Sequence, residues 1–136
     1  MLQGALTVAK ILVIDDDPAI LVTVDLVLKR AGHDVVTTIN AYEGLAKLET
    51  TAFDLVIVDL FMPEMDGLEA ITRIGLRHPR LAVLVLSGHH FEETVAHRPD
   101  FLAIEPRASL RKPFRPADLR DAVGKCLSPA SGKAAS

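Results

Sequence analysis

The 136 residues suit one domain, since a chain of this length buries roughly two-thirds of its unfolded surface and needs no covalent staple. With 49% hydrophobic and 24% charged residues, it is too apolar for disorder and too often interrupted by charge for a membrane span. The net charge of −3, with Lys and Arg scattered, leaves no electrostatic footprint for nucleic acid, and the single cysteine, Cys126, excludes an internal disulfide.

The opening MLQGALTVAK lacks the charged and long apolar regions of a signal peptide, so a reducing cytoplasm is the expected setting. Residues 10–15 (KILVID) then form a nearly continuous apolar run, the composition of a strand buried on both faces. Asp17 can N-cap a first helix with Pro18 at its first position. Ile20, Leu21, Val24, Val27, Leu28 and Ala31 follow at helical spacing until Gly32 supplies the stop. Residues 33–38 (HDVVTT) read as a more polar strand, suited to a sheet edge. Asn40 and Glu43 make a capping-box-like start for a second helix running through Leu45 and Leu48 toward Thr51, slightly weakened by Gly44.

Residues 54–59 (DLVIVD) are a third strand, and a helix is predicted from about Gly67 to Arg77. His78-Pro79 ends it, because the residue before proline avoids helical backbone. Residues 81–87 (LAVLVLS) are a fourth buried strand. Beyond Ser87 the pattern blurs: residues 92–97 suit a short helix, Pro99 and Pro106 forbid a long one, and residues 108–110 read as a second edge strand. Pro116 opens a last helix whose Leu119, Ala122, Val123, Cys126 and Leu127 form one apolar stripe, so Cys126 is expected to be a buried, inert thiol. The domain is expected to span residues 9–127, with a disordered tail over residues 128–136 (SPASGKAAS). No second domain follows Leu127, which suggests a single-domain protein or a piece of a longer one.

Strands alternating with helices describe βα units around a parallel sheet, and such sheets bind ligands outside the carboxyl ends of their strands. The first strand ends in Asp15-Asp16-Asp17, the third in Asp59 and the fourth in Ser87, while Lys112-Pro113 follows the fifth. Carboxylates converging there repel one another unless a cation or protons share the site. Oxygen-only ligands favour Mg²⁺, and no Cys/His set has zinc spacing. A carboxylate can also attack phosphorus to give an acyl phosphate if a metal, an ammonium and a hydroxyl neutralise the phosphoryl oxygens. Asp59, Asp16, Lys112 and Ser87 supply that set. Asp17 reads as a helix cap rather than a ligand, Met62 and Met65 as turn packing, and His89 and His90 as loop residues. His89 is still close enough to Ser87 to affect an acyl phosphate's lifetime.

The segments ILVIDDDP (11–18), DLVIVDLFMPEMDG (54–67), the strand ending in Ser87 and KPF (112–114) resemble, in this order and spacing, the receiver domains of two-component response regulators with their CheY-like fold. That resemblance implies a flavodoxin-like, doubly wound five-stranded parallel sheet of order 2-1-3-4-5 in a three-layer α/β/α arrangement. It implies Asp59 as phosphoacceptor and Asp15 and Asp16 as the acidic pair, with Asp16 the more direct Mg²⁺ ligand and Asp15 acting partly through water. By the same resemblance, Asp59 itself and the backbone carbonyl of Phe61 would complete the metal shell, Ser87 and Lys112 would contact the phosphoryl group, and the Lys112-Pro113 bond is expected to be cis. The implied partners are a sensor histidine kinase or histidine phosphotransfer protein and a downstream protein target, with no membrane or nucleic acid engaged through this domain. Its only catalysis would be its own phosphorylation and dephosphorylation.

The chain departs from that pattern at Ser109, where the family has a rotating aromatic, and over residues 88–108, which lack the usual alanine-rich fourth helix and Gly-Ala pair. A short or atypical fourth helix is expected, with any conformational response local to that segment unless Phe91 or Phe101 replaces the ring. Two other readings compete. The Asp15-Asp16-Asp17 run also fits haloacid-dehalogenase-like phosphatases, although Pro18 and Ala19 stand where those motifs have a small residue and then Thr or Val, and little length is left for a cap domain. A pseudo-receiver would be an interaction module that needs no phosphate.

Overall fold

The computed structural model describes residues 8–62, 67–88 and 106–128. The chain alternates β1 (Lys10–Ile14), α1 (Pro18–Arg30), β2 (Asp34–Thr38), α2 (Ala41–Thr50), β3 (Leu55–Asp59), α3 (Gly67–Arg77) and β4 (Ala82–Ser87), then β5 (Ala108–Arg111) and α4 (Pro116–Leu127). Every strand pair is parallel, in the order β2-β1-β3-β4-β5. This is the expected doubly wound sheet, with the two polar strands at its edges. No helix among the described residues is long and apolar enough to cross a membrane.

Period-two alternation divides the core. Ile11, Val13, Ile57, Leu84 and Leu86 face Val24 and Leu28 of α1 and Leu119 and Val123 of α4. Leu12, Ile14, Val56, Val58, Val83 and Val85 face Ala41 and Leu48 of α2 and Ala70, Ile71 and Ile74 of α3. The central strands are covered on both faces, which is why they are almost purely Val, Ile and Leu.

Local chemistry sets the helix ends. Asp17 accepts the Ala19 N–H at 3.0 Å and Asn40 accepts the Glu43 N–H at 2.8 Å, each satisfying a donor the helix leaves open. Gly32 takes φ 98° after α1, a conformation that glycine adopts without strain. At α4 the Asp118 carboxylate accepts the Arg115 N–H at 3.1 Å, a cap the sequence reading did not include. Four strands, β1 to β4, begin or end one residue inside the segments expected from the sequence. Asp15 thereby lies just past β1, and Asp54 just before β3, where its carboxylate accepts the Lys10 N–H at 2.8 Å. Cys126 is buried as expected, and burial pushes its thiol up to about 11. Met62 is buried. Residues 92–97, His89, His90, Met65, Phe91, Phe101 and the tail beyond Ser128 lie outside the described residues.

Gly44, which sequence alone reads as a weak point in α2, is buried against β1 and β2. A methyl there would press on Ile14 Cδ1, stand 2.6 Å from Ile14 Cγ1 and 3.3 Å from Thr38 Oγ1. Gly44→Ala would gain about 1 kcal/mol in an exposed helix. Here overpacking of roughly 1–3 kcal/mol should win, so the variant should be less stable in urea denaturation with an unchanged m-value. A stabilised variant would show that α2 seats loosely on the sheet.

Candidate functional site

Parallel strands end on the same side, so the topology gathers whatever stands at their carboxyl ends. The buried polar or charged residues of the described chain are Asp15, Thr38, Asp59 and Ser87, and all four stand at the carboxyl ends of β1, β2, β3 and β4. Buried polar side chains are expensive unless partnered, so their confinement to one edge marks it as the place where the fold departs from simple core packing. Asp16 joins them from the exposed side. One carboxylate oxygen each of Asp15, Asp16 and Asp59 lies within 4.8 Å of the others.

Asp15 is fully buried and held at both oxygens: Oδ1 accepts the Asp17 N–H at 2.9 Å and Oδ2 accepts from Lys112 Nζ at 2.9 Å. Asp59, 4% exposed, accepts the Phe61 N–H on Oδ1 at 3.3 Å, and the same oxygen lies 3.5 Å from Lys112 Nζ. Lys112 is anchored through its backbone, its N–H donating to the Ser87 carbonyl at 2.8 Å, and its side chain reaches back across the edge to both aspartates. The Lys112-Pro113 bond is cis, as expected. Ser87 is 2% exposed and ends β4, next to Asp59, which pairs with Leu86. Phe61 follows β3, is 48% exposed, and turns its backbone N–H toward Asp59.

The electrostatics follow from this crowding. Burial and the neighbouring Asp15 charge raise Asp59 to about 6, against the opposing pull of Lys112 and the Phe61 N–H. Burial also raises Asp15, outweighing the hydrogen bonds from Asp17 and Lys112. For Lys112, burial acts downward, but the Asp15 hydrogen bond and the Asp59 charge prevail and raise it. The ammonium therefore keeps its proton while negative charge remains in surplus.

All five side chains singled out from the sequence meet at this edge. Lys112 reaches both Asp15 and Asp59, and lies closer to Asp15. Asp17 is engaged in its cap and is not in the acidic group. Ser109 is exposed on β5, in register with Val85, two residues short of Ser87. Thr38 was not singled out, because a lone threonine in an edge strand carries no motif and only its burial draws notice.

Residues 11–124 match the family model described as the response regulator receiver domain. Among solved structures, the chemotaxis response regulator CheY4 of Vibrio cholerae superimposes with a TM-score of 0.79 at 29% identity, over 89% of this chain and 100% of that one. A CheY-like receiver domain protein of Methanospirillum hungatei gives 0.81 at 28% identity, over 94% and 99%. The transcriptional regulator NtrC of Azospirillum brasilense is 35% identical over 123 residues, 90% of this chain and 25% of that protein. The PhoP regulator of Bacillus subtilis is 29% identical over 120 residues, 87% and 48% respectively. The chain thus spans less than half the length of these two curated relatives. With its sheet order, its acidic edge and a family match across nearly all of the described fold, this chain belongs to the response regulator receiver domains of two-component systems.

Proposed function

We propose that this receiver domain is the phosphoacceptor of a two-component phosphorelay and takes a phosphoryl group onto Asp59 with Mg²⁺ beside it. The observation that carries this reading is the charge balance of the edge: among the described residues, three carboxylates within 4.8 Å of one another face the Lys112 ammonium, 2.9 Å from Asp15 and 3.5 Å from Asp59. Such a set is short of positive charge, and its donors are all oxygen, which fits a hard divalent cation. Asp16, Asp59, the Phe61 carbonyl and Asp15, the last partly through water, would hold it. When bound, Mg²⁺ neutralises charge on the acceptor carboxylate and on the incoming phosphoryl oxygens.

The chain's own groups then divide the work. Asp59 Oδ1 is engaged by the Phe61 N–H and faces Lys112, so Oδ2 is assigned the attack on phosphorus. As the new O–P bond forms, the P–N bond of a phosphohistidine donor breaks, and the electron pair leaves with the imidazole nitrogen, which takes a proton from solvent. Lys112, held near both aspartates, follows the charge onto the phosphoryl oxygens. The Ser87 hydroxyl, one strand over from Asp59, donates to another of them. The donor is assigned as a histidine kinase or histidine phosphotransfer protein in the cytoplasm, and the recipient of the signal as a downstream protein.

Ser109 limits how far that signal spreads. An exposed serine on the edge strand fills no pocket as Ser87 moves, so the response is assigned to the stretch just after β4. Amide exchange with and without beryllofluoride, an acyl-phosphate mimic, should show protection rising around residues 87–91 and little change along α4. A large change in α4 would mean that long-range coupling persists without an aromatic at position 109.

Treatment with acetyl phosphate and Mg²⁺ should give a single labile adduct by mass spectrometry, absent from Asp59→Asn. Asp16→Ala should weaken Mg²⁺ binding by about tenfold or more and slow labelling in parallel. A wild-type adduct level in Asp59→Asn would move the acceptor elsewhere. An unchanged Mg²⁺ titration in Asp16→Ala would do the same for the metal.

A further inference from the structure

Of the four buried polar residues at the acidic edge, Thr38 is the one with no part in the proposed chemistry. It is the last residue of β2, 2% exposed and in register with Ile14. Its hydroxyl donates to the Val13 carbonyl at 3.1 Å, while its own carbonyl accepts the Asp15 N–H at 3.2 Å. The residue thus grips β1 on both sides of Ile14, one bond before it and one after. Because β2 is an edge strand bonded only to β1, the last rung of its ladder is where fraying would begin, and the side-chain bond reinforces that rung.

The space for this arrangement comes from α2. Gly44 lies over the Ile14 side chain and the Thr38 hydroxyl, and any side chain at position 44 would displace one or the other. Ile14 immediately precedes Asp15, whose two carboxylate oxygens are taken by the Asp17 N–H and by Lys112. Asp15 is therefore held from three directions, and the backbone direction runs through Thr38. Packing alone would be served by valine, which has the same shape and no hydroxyl to satisfy.

We propose that Thr38 is a positioning residue for the acidic edge: its hydroxyl, in the space left by Gly44, ties the end of β2 to β1 and so fixes the backbone of Asp15 and, next to it, Asp16. Its consequence for Mg²⁺ rests on the metal reading above, but its effect on Asp15 does not. By reciprocity of coupling, the seating of α2 on Ile14 and the affinity of the edge for the cation influence one another.

The test compares Thr38→Val with Thr38→Ser through two readouts: amide hydrogen exchange in the metal-free protein, resolved by residue, and calorimetric Mg²⁺ titration. In Thr38→Val the Asp15 amide should exchange about fivefold faster relative to Leu84 and Leu86 of β4, as expected for the loss of one hydrogen bond. Mg²⁺ affinity should fall about threefold to tenfold, and Thr38→Ser should restore both readouts. Thr38→Ala replaces the valine variant, with the same expectations, if that protein does not fold. Wild-type exchange at Asp15 in Thr38→Val, or a serine variant as altered as the valine one, would overturn the proposal. Failure of the wild-type protein to saturate with Mg²⁺ would overturn the metal reading instead, leaving the Asp15 exchange to decide the role of Thr38.

Discussion

Three aspartates and one lysine share the carboxyl edge of a parallel sheet, and the rest of the molecule can be read as the framework that forces them together. The apolar strands that build the core all run the same way, so burying Val, Ile and Leu on both faces necessarily brings the groups at the strand ends to one side. The resulting charge imbalance opposes folding at neutral pH. Asp59 titrates at about 6 in the fold against 3.8 ordinarily, so the native state binds its proton more tightly than the unfolded chain does. Asp59 therefore supports the fold fully below about pH 4, and that support is lost as pH rises through about 6, a loss on the order of 2–3 kcal/mol. A divalent cation would reverse the loss by stabilising the carboxylate form.

Lys112 connects this electrostatic balance to the backbone. Its N–H is bonded to the Ser87 carbonyl, so the ammonium that answers Asp15 and Asp59 is carried by the same residue that joins the ends of β4 and β5. Any change in charge at Asp59 that draws the ammonium away from Asp15 acts first on that joint. The exposed Ser109, on the outer strand, has no buried ring to carry the change further. On the proposed reading the response therefore stays local to the end of β4.

Much of this was legible in the sequence because the relevant residues act locally or by strict order. Asp17 with Pro18, and Asn40 with Glu43, announce helix starts through short-range geometry, and the aspartates and Ser87 stand at the ends of runs whose apolar composition already identifies buried strands. What could not be read depends on contacts between distant segments. The preference of Lys112 for Asp15, across 97 positions, needs the strand order and the reach of a side chain. Gly44 looked like a defect in a helix until Ile14 and Thr38 were found beneath it, and Thr38 resembled any edge-strand threonine until its burial and its grip on β1 were known. The Arg115 and Asp118 cap was missed for a different reason, since arginine is not a residue that sequence rules place at a helix start.

Without metal, the edge is expected to hold too much negative charge, with Asp59 registering the excess. Carboxyl-carbon NMR of the protein labelled at aspartate, assigned through Asp59→Asn and titrated with and without Mg²⁺, measures this directly. Asp59 should titrate at about 6 without metal and move well below the usual carboxylate range as Mg²⁺ is added. An Asp59 that titrates near 4 in the metal-free protein and is indifferent to Mg²⁺ would contradict the account.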